Sequence, residues 1–204
     1  MKKSAFNPQH QLENLDSKII VAFDRVAQAY RSLLWEKSTE FALSPIQIQV
    51  IIFLNNHSST KCKVSYLAEE FNVSKASISD TIKILEQKNL IYKQVEEYDA
   101  RSYFIGLTKE GKSIANKTSN FADQILSSVT ELQDHQKEGL FSSLIHIIHF
   151  LNLAGVLTVQ RMCLNCQNHS FNEKDQFHYC KLLKSKLKNS ELRVDCNEHI
   201  LNAV

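Results

Sequence analysis

Residues 64–111 read VSYLAEEFNVSKASISDTIKILEQKNLIYKQVEEYDARSYFIGLTKEG, and the order of patterns within them predicts the fold. Leu67, Ala68 and Phe71 share one face of a short helix, Asn72 and Val73 supply a turn, and Ser74 stands as the N-cap of a second helix. In that second helix Ile78, Ile82 and Leu85 follow the i, i+4, i+7 spacing, so they face a core. The remaining face carries Lys75, Ser77, Ser79, Asp80 and Lys83. After Asn89, residues 90–95 and 103–107 have strand composition, and 96–102 are polar enough to form an exposed tip. The order is helix, turn, helix, wing, which presents one short helix to a groove of double-stranded DNA with a strand pair beside it.

Working outward, Leu12, Leu15, Ile19, Phe23, Val26, Tyr30 and Leu33 recur every three or four residues, the stripe of one long helix. Ser44 and Pro45 read as N-cap and first residue of a supporting helix that carries Ile46, Ile48, Val50, Ile51 and Leu54. Beyond the wing, Phe121, Ile125, Val129 and Leu132 form another helical pattern. A polar break over 134–139 separates it from Leu140, Leu144, Ile148 and Leu151. Amphipathic helices at both ends carry more apolar surface than one protomer readily covers, which predicts packing against a second copy, with ordinary intrachain core as the alternative. The expected division is an N-terminal dimerisation helix over 1–36 and a winged helix-turn-helix over 37–112. C-terminal dimerisation helices over 113–157 and a cysteine-rich tail over 158–204 follow. The fold class is mainly α with a small β-wing.

The chain has 204 residues, enough for a real core, and only four Gly and two Pro, which favours helices over tight turns. Its net charge of +2 adds little electrostatic argument for a nucleic-acid partner. Between residues 61 and 112, nine Lys or Arg face eight Asp or Glu, so binding depends on where the charges sit. No apolar run approaches a membrane span, and no hydrophobic segment follows the two lysines at the start, so no membrane association and a cytoplasmic location are expected.

The pattern LAEEFNVSKASISDTIKILEQKNLI, then DARS, then LTKEG, resembles the MarR family of bacterial winged helix-turn-helix transcription regulators over about residues 10–155. The resemblance implies a homodimer with interlocked terminal helices and the second core helix of each protomer in a major groove. It implies that Arg101 at the wing tip enters the minor groove while Asp99 orients it. The physics agrees, because a narrow minor groove concentrates negative potential and a carboxylate can steer a guanidinium. Contacts to the major groove would come from Ser74, Lys75, Ser77, Ser79 and Lys83. Many relatives carry a basic residue where this chain has Asp80, whose carboxylate repels phosphate but can accept from cytosine N4. The operator should be palindromic to mirror the dimer axis, and a repressor responding to a small-molecule effector is the expected mode.

Past about residue 159 the resemblance ends. Four of the five cysteines lie in this last stretch: Cys163 and Cys166 in a C-x2-C knuckle, then Cys180 and Cys196. Four thiolates suffice for one tetrahedral zinc ion, the reading favoured here, with His169, His178 and His199 as spare donors and a short helix over 181–188. An iron–sulfur cluster on the same thiolates would make a redox or iron sensor; reversible disulfides or an unliganded tail are the remaining readings. The fifth, Cys62, is read as an incidental thiol, since oxidant sensing needs a depressed pKa. A winged helix that binds protein instead of DNA is a further reading. An enzyme is not expected: there is no nucleotide loop, paired catalytic carboxylates or activated nucleophile.

Overall fold

The computed structural model describes residues 4–96, 99–175 and 177–202; at 96 and 99–101 it describes the backbone alone. Helix α1 (Pro8–Glu13) ends at Asn14, whose side chain accepts from Ser17 N at 2.7 Å and so caps the start of α2 (Leu15–Phe41). The stripe expected from Leu12 to Leu33 is therefore divided, because an Asn with extended backbone offers the new helix a cap in place of a continued turn. The supporting helix α3 (Pro45–Asn56) starts with a full capping box between Ser44 and Gln47. It buries Ile48, Val50, Ile51, Phe53 and Leu54, apolar around most of its circumference, and it forms the centre of the core.

Around α3 pack α4 (Val64–Glu70), α5 (Lys75–Gln87) and α6 (Lys109–Thr118). Both α4 and α5 end with an asparagine in the left-handed region, Asn72 at φ 52° and Asn89 at φ 56°. In each the following amide reaches back into the last turn, Val73 N to Ala68 O and Leu90 N to Leu85 O, both at 3.0 Å. These are sharp, hydrogen-bonded stops, and they set the angle at which α5 leaves α4.

The wing is the antiparallel pair β1 (Ile91–Glu96) and β2 (Asp99–Leu107). Register holds from Ile91 opposite Leu107 to Val95 opposite Tyr103, then shifts so that Glu96 stands opposite Asp99. Residues 100–102 are the surplus, a bulge that falls on the DARS motif. The tip expected over 96–102 is thus shorter, since pairing continues through positions whose composition alone read as loop. Buried Ile91, Ile105 and Leu107 and a hydrogen bond from Ile105 N to Cys62 O at 2.9 Å fasten the wing to the core.

Two helices follow, α7 (Asp123–Thr130) and α8 (Asp134–Leu153). The break expected over 134–139 lies at 131–133 instead, because Gln133 and Gln136 form a capping box that starts α8 at Asp134. Helix α8 ends where Gly155, at φ 72°, lets Val156 N bond Leu151 O at 3.0 Å. The tail is a three-stranded antiparallel sheet, β3 (His169–Asn172), β4 (Phe177–Cys180) and β5 (Ser185–Leu187), preceded by a 3-10 turn over Cys163–Asn165. The helix expected over 181–188 does not form. Its residues make a hairpin turn, with Lys184 at φ 51°, and then β5, which satisfies the open edge of β4. Met162 and Leu192 from the tail and Ile145 from α8 make a small second core.

Gly111, in the first turn of α6, lies so close to the backbone of Leu90 that an added Cβ would overlap the Leu90 carbonyl. Gly111→Ala is expected to destabilise the fold by about 3 kcal/mol in urea unfolding. Gly139→Ala, on the open side of α8, is expected to stabilise it by about 1 kcal/mol.

Candidate functional site

Helix α5 divides cleanly. Ile78, Thr81, Ile82 and Leu85 are buried, while Ser74, Lys75, Ser77, Ser79, Asp80 and Lys83 are all exposed. Ser74 Oγ accepts from Ser77 N at 3.1 Å and lies 2.9 Å from Ser77 Oγ, so the first turn is capped from within while both hydroxyls face solvent. Ser79 Oγ donates to Lys75 O at 2.8 Å, leaving its lone pairs outward. Lys75, Ser79 and Lys83 are spaced four apart, so the two ammonium groups bracket about 12 Å of one helical stripe, a span a phosphate backbone can follow. Asp80 is exposed on the same side, three residues before Lys83, the spacing at which opposite charges moderate each other.

The wing rises beside this face. Lys63 Nζ lies 3.5 Å from Ser102 Oγ and 4.6 Å from the Phe104 ring centre, holding the bulged strand near the start of α4. The bulge places Asp99 and Arg101 at the far end of the hairpin; their side chains lie outside the described residues.

In the tail, Cys163, Cys166, Cys180 and Cys196 line one cavity of about 50 Å³, walled by Met162, Leu182, Leu183 and Leu187. Arg193 N donates to Cys163 Sγ at 3.2 Å, and the Arg193 guanidinium reaches Cys196 Sγ at 3.5 Å. Burial pushes the Cys163 thiol above its ordinary pKa, and the Arg193 amide partly offsets this. Among the described residues no group of three Cys, His, Asp or Glu side chains stands close enough to hold a metal ion. The spare histidines have other partners. His169 Nε2 and His178 Nδ1 are 2.8 Å apart, His178 Nε2 bonds Asn189 Oδ1 at 3.1 Å, and His199 Nε2 bonds Asn165 Oδ1 at 2.9 Å. Of the three, only His169 borders the cysteine cavity.

A feature invisible in the sequence joins tail and core. Arg161 is 7% exposed and grips two carboxylates. Its Nε and Nη2 bond Asp195 at 2.6 and 2.9 Å, its Nη1 and Nη2 bond Glu70 of α4 at 2.5 and 3.1 Å, and Nη1 also bonds the Tyr66 hydroxyl at 2.9 Å. Asp195 bonds His57 Nε2 at 3.0 Å. The Arg161 hydrogen bonds hold the Asp195 carboxyl down at about 2, and the carboxylates and Tyr66 keep the guanidinium charged despite its burial. No local pattern announces this pairing, because Glu70 and Asp195 lie 91 and 34 residues from Arg161 in the chain.

Cys62 is buried at 2% exposure, its Sγ 3.3 Å from Ser58 O, and burial pushes its thiol up to about 11 against the smaller opposing effect of Lys61.

Comparison with known proteins agrees with this geometry. Residues 43–102 match the family model described as MarR family. The HTH-type transcriptional regulator MgrA of Staphylococcus aureus is 29% identical over 141 residues, 68% of this chain and 92% of MgrA. The crystal structure of the S. aureus MepR–DNA complex superposes with a TM-score of 0.57 at 23% identity, covering 64% of this chain and 96% of that one. S. aureus MepR in its DNA-binding conformation gives 0.58 at 21% identity, over 65% and 98% of the two chains. The structural likeness establishes a winged helix flanked by helices. Over residues 43–102 the chain is thus similar to the MarR family, and its fold is similar to that of the winged-helix MepR structures.

Because the folded pKa of Cys62 lies above that of the unfolded chain, its contribution to stability is complete below about pH 9 and is lost as pH rises towards about 11. Ellman's reagent at pH 8 is expected to label Cys62 about a hundredfold more slowly in the native than in the unfolded protein.

Proposed function

We propose that this chain is a sequence-specific DNA-binding transcriptional regulator, a repressor acting as a homodimer on a palindromic operator, with a four-thiolate metal site in its tail. The observation that carries the proposal is α5. One face is anchored by Ile78, Ile82 and Leu85 at no more than 1% exposure, and the other presents Lys75, Lys83 and the Ser-capped first turn to solvent. A rigid helix with hydroxyls, two ammonium groups and an open N-terminus suits phosphate and base-edge contact in a major groove. MgrA, a transcriptional regulator, is similar in sequence over 141 residues, and MepR, crystallised with DNA, is similar in fold. Nothing in this reading requires a catalytic step, and among the described residues no helix is long and apolar enough to cross a membrane.

The dimer rests on apolar surface that one protomer leaves open. Leu15, Ile19, Ile20, Val26 and Trp35 of α2 are exposed, and so are Phe150 and Leu153 at the end of α8, at 70% and 73%. In the 27 residues of α2 only Ser17, Leu34 and Ser38 are buried, so most of that helix lacks cover within its own chain. A second copy covers such surface at both ends of the chain with one symmetry axis, and that axis sets the spacing of two α5 helices on the operator. A small-molecule effector would act by favouring one spacing over another.

Fluorescence anisotropy with a mixed-sequence duplex across a salt series tests the interface. The wild type is expected to bind at low salt. Lys75→Ala, Lys83→Ala and Arg101→Ala are each expected to weaken binding to all sequences and to reduce the slope of log affinity against log salt by about 0.9. An absence of low-salt binding would favour the protein-interaction reading, which the exposed Asp80 and the near-neutral charge keep in play. Phe150→Asp combined with Leu153→Asp is expected to give monomer in sedimentation velocity.

A further inference from the structure

We propose that the tail is a zinc-dependent clamp on the helix-turn-helix: one zinc ion held by Cys163, Cys166, Cys180 and Cys196 fixes the segment carrying Asp195, and Asp195 holds Arg161 against Glu70. This rests on the regulator reading above and assigns its control to metal occupancy.

The four sulfurs come from three separate pieces of chain. Cys163 and Cys166 bracket the 3-10 turn, Cys180 ends β4, and Cys196 lies in the closing segment that pairs back onto Arg161. One ion bound to all four cross-links those pieces. That accounts for the stability of a module whose own core is little more than Met162 and Leu192. The shared cavity, about 50 Å³ and largely apolar, suits a single soft ion bound by thiolates better than a four-iron cube. The Arg193 amide already donates to one sulfur and its guanidinium approaches another, the hydrogen bonds and countercharge that a zinc–thiolate centre with surplus negative charge requires. The four thiols line one cavity but do not stand at coordinating distance in this structure, so binding requires them to close on the ion to the roughly 2.3 Å bond length of zinc and thiolate.

The connection to the DNA-binding core is short. Cys196 N donates to Arg161 O at 2.9 Å, so the residue beside Asp195 is tied both to the proposed ion and to the arginine backbone. Arg161 in turn presents forked pairs of bonds to Asp195 and to Glu70, the last residue of α4. The Thr158 hydroxyl bonds the carbonyl of neighbouring Glu69. When the ion leaves, the Cys196 segment loses its cross-link and Asp195 its fixed place. Arg161 is then a buried cation with one carboxylate where it had two, an arrangement stable only if the tail lifts from α4. Helix α4 positions the turn into α5, so loosening its end loosens the reading helix.

The test uses the full chain, purified reduced and without oxygen. Elemental analysis is expected to find one zinc per chain; zinc below a fifth of that, or a brown protein containing iron, would overturn the assignment. Hydrogen exchange over Val64–Glu70 is expected to quicken at least tenfold when a chelator removes the zinc, and affinity for a mixed-sequence duplex at low salt to fall at least tenfold. Unchanged exchange in α4 would sink the clamp. Arg161→Met is expected to keep its zinc yet show fast exchange in α4 whether loaded or not. This variant also carries the test if stripped wild-type protein precipitates, because it is compared with wild type while both hold zinc; wild-type exchange rates in loaded Arg161→Met would refute the link. Failure of zinc-loaded wild type to bind the duplex removes the regulator reading, and the control by metal with it, while the zinc count and α4 exchange still report on the clamp as a structural device.

Discussion

The burial of one face of α5 against α3 is the constraint from which the rest of the molecule follows. Ile78, Ile82 and Leu85 belong to the same buried cluster as Ile48 and Ile51 of α3, all almost fully removed from water. Burying side chains of this size contributes about 2 kcal/mol each, enough to prevent rotation of a 13-residue helix about its own axis. Fixing that rotation decides which residues remain outside, and they are the serines and lysines. The asparagine stops after α4 and α5 act on the same variable, since a hydrogen-bonded left-handed turn leaves the chain one direction of exit. The wing inherits its position from both, through the turn at Asn89 and the bond between Ile105 and Cys62.

A second constraint is electrostatic. A guanidinium as buried as Arg161 is tolerable only with its donors satisfied, and here carboxylates from the core and from the tail share it, with Tyr66 and the Phe53 ring alongside. Removing either carboxylate leaves the other to balance a charge out of reach of water. The two parts of the chain are for this reason coupled more strongly than their small apolar contact implies. The tail's own apolar content is slight, so its shape depends on its three-stranded sheet and on this anchor. The terminal helices are governed by the opposite imbalance, an excess of exposed apolar surface, which the proposed symmetric partner would cover.

Cys62 shows how burial separates a thiol from chemistry. It sits between two lysines in sequence, a setting that favours a thiolate, yet the fold places it under the wing with its sulfur against backbone carbonyls. Desolvation outweighs Lys61, and the thiol behaves as a small core side chain.

The helix-turn-helix and wing could be read directly from residues 64–111 because each element announces its buried side through a local period: i, i+4, i+7 at Ile78, Ile82 and Leu85, alternation in the strands, and caps at Ser44 and Ser74. Patterns with two local solutions were misplaced. Residues 181–188, rich in Lys and Leu, favour helix in isolation but turn back so that Ser185–Leu187 pair with β4, and the break before α8 falls where Gln133 finds a partner in Gln136. The histidines read as spare ligands turned to each other and to asparagines. The amino-acid order by itself determined the exposed, Ser- and Lys-bearing face of α5 and named the four cysteines. Only the tertiary structure decided that those cysteines share one cavity and that Arg161 joins Glu70 to Asp195. Periodicity records which side of an element is buried, whereas the partner of a buried charge is chosen by packing between segments that carry no trace of one another in their local sequence.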